Sequence, residues 1–222
     1  MERPTARLEA IGEKIRFLFS LRDSARDKAL RLSRESIRYS SNSIRAAHRR
    51  ELELAQELLT SAHALVSEMV EAVTDQESLR YTGFIHDAQK ECAEASITLA
   101  LVAGRPIPDP DELGVSYAAY LNGLGEAAGE MRRHLLDILR AGEVERCEEL
   151  LQDMDDIYSL LVTIDFPDAL TGGLRRTTDM VRGVLERTRG DLTLSLRQRD
   201  LERKLEAFGK DALSAKKKPR SR

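Results

Sequence analysis

Tryptophan is absent from this chain, and aromatic residues make up only 5% of it. Sheet-rich folds draw heavily on aromatic and β-branched side chains, so this scarcity argues against them. Only two cysteines occur, Cys92 and Cys147, and their spacing matches no disulfide scaffold, zinc site or redox pair. No apolar run approaches the roughly 20 residues that a membrane span needs, and no signal-peptide pattern opens the sequence. A soluble, reducing, cytoplasmic setting is the expectation, with both thiols packed as small apolar groups. Just six prolines punctuate the 222 residues. That length is enough for one sizeable core without staples.

What remains is a mixture of Ala, Leu, Ile and Val with 33% charged residues, a balance suited to long amphipathic helices. Helical spacing predicts a first stretch from about Thr5 to Glu71, broken near Asp23 or Arg50. It predicts a second helix over about 76–103, ending at Gly104. Three prolines in Arg105-Pro106-Ile107-Pro108-Asp109-Pro110 make the clearest linker. Further helices are expected at about 111–141 (stopped by Gly142), 143–164, and 172–208, the last capped by Thr171 and closed by Gly209. Residues 1–210 then form a single all-α domain. Residues 211–222 form a basic tail, too charged to pack and expected to be disordered.

The net charge of -3 conceals an asymmetry. Residues 1–50 hold 13 basic against 6 acidic residues, 51–172 hold 7 against 25, and 173–222 hold 15 against 7. Basic ends around an acidic middle fit a nucleic acid and a divalent cation as partners, or simply uneven surface charge.

Two glutamate pairs stand out within the acidic middle. Glu91 and Glu94 are spaced i,i+3 beside an apolar stripe of Phe84, Ala88, Cys92, Ala95, Leu99 and Val102. Glu91 falls at the edge of that stripe and Glu94 about 60° further round. Glu126 and Glu130 are spaced i,i+4, opposite an apolar face of Tyr117, Leu121, Leu124, Met131, Leu135 and Ile138. Around them Ala118, Asn122, Gly125 and Gly129 keep the helix surface small, which permits close approach of a neighbour or ligand. Four carboxylates with no thiol or imidazole in register make an oxygen-only donor set, the kind that Mg²⁺ or Mn²⁺ prefers. A divalent ion in such a set polarises a phosphoryl oxygen and acidifies an attacking water. Glutamate pairs at these spacings are also common on solvated helix faces, so periodicity alone leaves both readings open. His134, four residues after Glu130, is left out of the site as an ordinary packing or surface residue.

On the first stretch Arg31, Arg34, Arg38, Ser41, Arg45, His48 and Arg49 fall within about 100° of one another. Guanidinium groups in such a row suit phosphate contacts. A solvated face, or salt bridges between subunits, fits them as well.

The run Leu32-Ser33-Arg34-Glu35-Ser36-Ile37-Arg38-Tyr39, continuing to Arg49, resembles the first conserved block of the translin family. Lys90-Glu91-Cys92-Ala93-Glu94-Ala95, Tyr120-Leu121-Asn122-Gly123 through Glu130-Met131-Arg132, and Leu174-Arg175-Arg176-Thr177-Thr178-Asp179 resemble later blocks in the right order. This resemblance implies an elongated antiparallel bundle of about six or seven helices, assembled as a homo-octamer around a cavity. Translin-type subunits of the family bind nucleic acid, whereas Trax-type subunits carry the acidic cluster and cleave RNA with Mg²⁺. The sequence is Trax-like in keeping Glu91 and Glu94, and it has Glu126 where Trax subunits commonly have Asp. The resemblance implies a Mg²⁺-dependent ribonuclease on single-stranded RNA, with Mn²⁺ as a substitute metal. Glu94 and Glu130 become the principal ligands, completed by Glu91 and Glu126. Arg34, Arg38, Arg45, His48 and Arg49 become the RNA-binding face. The alternative is a non-catalytic, translin-like protein that binds single-stranded RNA or DNA. A ferritin-like di-metal oxidase is disfavoured, because no Glu-x-x-His pair is present.

Overall fold

A computed structural model of the chain describes residue 3, residues 5–80 and residues 82–217, without the side chains of residues 77 and 211–217. Among the described residues every regular element is a helix. The six long ones are α1 (Leu8–His48), α2 (Leu52–Ala72), α4 (Gly83–Ala103), α6 (Tyr117–Ala141), α7 (Val144–Thr163) and α9 (Leu174–Lys217). Single turns α3 (Glu77–Arg80), α5 (Pro110–Leu113) and α8 (Asp168–Thr171) separate some of them. None is long and apolar enough to cross a membrane.

The first break falls at Arg49 and Arg50 rather than at Asp23, with Arg50 in the left-handed region at φ 61. That conformation is costly for a residue with a Cβ. It reverses the chain within three residues, so α2 returns antiparallel against α1. A row of serines makes this close packing possible. Ser36 and Ser43 donate to the carbonyls of Ala62 and Ala55 on α2 (3.2 and 2.7 Å), and Ser33 donates to Phe84 on α4 (2.9 Å).

Helix α4 is the centre of the molecule. Its expected single apolar stripe is only part of what it buries, because Ala93, Ser96, Ile97, Thr98 and Ala100 are buried as well. One flank packs on α1 and α2 through Ala88, Cys92, Ala95 and Leu99. The other joins α6, α7 and α9 through Ala93 and Ile97, against Leu124, Ala128 and Leu161. A third cluster, around Met131, Leu135, Leu150 and Met154, extends the seam toward the far end of α6 and α7. A helix enclosed on both flanks carries its polar groups inward with it.

Several boundaries differ from the periodic reading. Helix α6 starts at Tyr117 rather than 111, because Gly114 (φ 62) ends α5 and the Ser116 hydroxyl accepts from the Ala119 amide. Tyr117 is consequently exposed rather than part of the apolar face. Thr171 closes α8 instead of capping the last helix, and Gly172 and Gly173, both at positive φ, turn the chain into α9. Gly209 does not stop α9, which runs on to Lys217. The rest of the basic tail, 218–222, lies outside the described residues.

Candidate acidic site

Gly123 sets the distance between α4 and α6. A Cβ at that position would lie 2.6 Å from the Lys90 carbonyl and 2.9 Å from both the Ala93 Cβ and the Glu94 amide nitrogen. Only glycine lets the two backbones lie this close. Nearby groups fix the register: Gln89 accepts from the Ser116 amide at 3.3 Å. Asn122 donates to the Thr171 carbonyl at 2.8 Å and accepts from Thr177 at 2.6 Å, tying α6 to α8 and α9. Of the glycines singled out by the sequence, Gly125 packs against Thr177, while Gly129 faces open space.

This contact brings Glu91, Glu94 and Glu126 together, with a carboxylate oxygen from each lying within 4.8 Å of the others. Glu94 is the innermost, 9% exposed. Burial, then the negative charges of Glu91, Glu126 and Glu130, push its carboxyl up to about 8. Burial also raises Glu91, partly offset by Lys90. The Lys90 ammonium donates to Glu126 at 2.7 Å and lies 3.6 Å from Glu91. Burial works against that charge, but the bond to Glu126 and the surrounding carboxylates outweigh it and leave the lysine pKa raised.

Glu130 does not join the three. It pairs with the imidazole of His48, the last residue of α1, and lies 3.9 Å from Arg133. The hydrogen bond from His48 is the main reason its carboxyl is lowered. The His48 side chain is only 4% exposed, and its Nδ1 has no partner among the described residues. His134 is buried too, its ring 6.2 Å from that of His48.

The residues expected along the basic row therefore separate. Arg31, Arg34, Arg38, Arg45 and Arg49 are exposed, whereas His48 turns inward to Glu130. The row is not free of acids, since Arg38 pairs with Glu35 (3.3 Å) and Arg49 with Glu51 (2.6 Å). Arg45 bonds Asn42 at 3.1 Å. Exposed pairs of this kind contribute little and exchange readily. Sequence reading missed Lys90, His48 as the partner of Glu130, and Gly123. Lys90 is four residues before Glu94, so helical spacing already set the two on one face.

The donor chemistry suits a hard cation: three carboxylate oxygens gather here with no nitrogen or sulfur donor among them.

No protein-family model matches the sequence. Among solved structures, AfC3PO in complex with duplex RNA superposes with TM-score 0.77 and 32% identity, covering 87% of this chain and 98% of that one. The crystal structure of AfC3PO gives TM-score 0.75, 33% identity and the same coverage. This chain belongs to the translin family. Apo-NeC3PO shares the fold at TM-score 0.70 with 22% identity, over 85% of this chain and 96% of that one. An uncharacterized protein of Methanocaldococcus jannaschii is 28% identical over 173 residues, 77% of this chain and 76% of the other.

Proposed function

We propose that this protein is a Trax-like, Mg²⁺-dependent ribonuclease acting on single-stranded RNA. The observation that carries the reading is the convergence of Glu91, Glu94 and Glu126 from two helices at the buried face of α4. Three carboxylates are costly to bury together without a cation. These three would hold Mg²⁺, or Mn²⁺ in its place, with Glu130 joining from the adjacent turn once it leaves His48. A bound ion would supply electrophilic stabilisation of the phosphoryl oxygens and a more acidic water. A glutamate of the cluster stands ready to take the proton of that water. Hydrolysis with water as nucleophile leaves 5′-phosphate and 3′-hydroxyl ends. The exposed Arg34, Arg38, Arg45 and Arg49 steer the phosphate backbone toward the site, and His48 acts from within through Glu130. Glu126, longer by a methylene than Asp, reaches across from α6.

The assembly proposed is a homo-oligomer, octameric as the family resemblance implies. Supporting it are the exposed Leu8, Ile11, Ile15, Phe17, Leu18 and Phe19 at the start of α1, apolar side chains of the kind that a partner subunit covers. Two unpaired, buried thiols suit a reducing cytoplasmic setting.

The test is cleavage of labelled single-stranded and duplex RNA in Mg²⁺ by the wild-type protein and Glu94→Gln. Cleavage confined to the wild type, and abolished by chelation, is expected. Equal rates would overturn the reading. A non-catalytic binder of single-stranded RNA or DNA is the second reading, favoured by the lysine that already neutralises part of the cluster. Salt-sensitive affinity without Mg²⁺-dependent products would select it.

A further inference from the structure

We propose that Lys90 is a tethered counter-ion that occupies the acidic cluster when no divalent cation is bound, so that metal entry and the Lys90 ion pair exclude one another. This rests on the reading of Glu91, Glu94 and Glu126 as metal ligands.

The geometry is direct. The Lys90 Nζ sits 2.7 Å from Glu126 Oε1 and 3.6 Å from Glu91 Oε1, and both carboxylates belong to the group of three. An ammonium at those oxygens stands on the ground a divalent ion would take. Two cations sharing carboxylates within a few ångströms repel strongly where water is scarce, and Lys90 is only 19% exposed on its side chain.

Other bases nearby do not compete in this way. His48 and Arg133 contact Glu130, outside the three. His86, one turn before Lys90, feels the charges of Asp87, Lys90 and Glu126 but makes no ion pair with them among the described residues. Lys90 itself is not locked by its backbone, since a four-carbon stem with rotatable bonds can carry the ammonium away. Exchange costs the protein little, because the cluster is partly neutralised in both states. It also sets a threshold, in that a weakly held or singly charged ion does not displace a covalently attached competitor.

The inference is tested by calorimetric titration of Mn²⁺ into wild-type, Lys90→Met and Lys90→Gln proteins at fixed pH and subunit concentration. Loss of the charge should tighten Mn²⁺ binding by roughly tenfold or more, the scale of one unit charge a few ångströms away in a partly buried site. A second measurement uses the unmodified sequence: acylation of Lys90, read by mass spectrometry, should rise when Mg²⁺ is added as the amine is released. Equal or weaker Mn²⁺ binding by both variants, with wild-type binding intact, overturns the inference alone. So does Lys90 reactivity that is indifferent to Mg²⁺. Absence of Mn²⁺ binding in all three proteins overturns the metal reading, and this inference with it.

Discussion

Replacing Glu94 by Gln keeps the shape of a buried side chain while removing its ability to ionise. Its carboxyl is pushed up to about 8 from an ordinary 4.5, by burial first and by neighbouring carboxylates second. A raised acid holds its proton more tightly in the folded state than in the unfolded one. The metal-free protein therefore loses stability as pH rises from about 4.5 to about 8. At about 1.4 kcal/mol per pH unit, the loss is under about 1 kcal/mol at pH 5 and approaches about 4 to 5 kcal/mol above pH 8. Side-chain movement and water entry relieve part of this cost. In chelator, Glu94→Gln should match the wild type near pH 5 and exceed it by a few kcal/mol at pH 8.5, at equal subunit concentration. His63, His86 and His134, each lowered mainly by burial, lose stability as pH falls, but equally in both proteins. Urea denaturation at the two pH values reads the difference. A gap between the proteins that does not change with pH is the contrary result, because Glu94 would then ionise as freely in the fold as out of it.

Gly123→Ala would drive a methyl into the Lys90 carbonyl and Glu94 amide. It should cost about 1–3 kcal/mol by overpacking and weaken Mn²⁺ binding, both measurable on the same sample. Gly129→Ala meets nothing within 4 Å, so it should stabilise α6 by up to about 1 kcal/mol in thermal unfolding. His48→Ala should return the Glu130 carboxyl toward ordinary acidity, because the hydrogen bond that lowers it is lost; carboxyl titration by NMR checks this. Removing Arg34, which is exposed and makes no ion pair among the described residues, should reduce the salt dependence of RNA binding by about one unit of slope.

The helical class was legible because it rests on period, and spacing marked Glu91, Glu94 and Glu126, which α4 and α6 bring together without the fourth expected member, Glu130. Gly104 and Gly142 ended helices as their φ freedom suggests, at φ 65 and 88. Tertiary context decided the rest. Gly209 lies inside a continuing helix, so glycine alone does not end one. The pairing of Glu130 with His48 joins residues 82 apart in sequence, and no local pattern carries such information. Gly125 and Gly129 drew attention for sitting beside glutamates, yet Gly123 is the one pressed against α4, because which face of α6 meets α4 is settled by packing. Ser33, Ser36 and Ser43 of α1 carry no such signal in the sequence, yet they are hydrogen-bonding contacts to neighbouring helices.

Anomalous diffraction from crystals grown with Mn²⁺ would locate the cation itself. The expected result is a peak bounded by the carboxylates of Glu91, Glu94 and Glu126, with the Lys90 ammonium turned away. A map showing those three side chains in place, Lys90 still on Glu126 and no peak among them would contradict it.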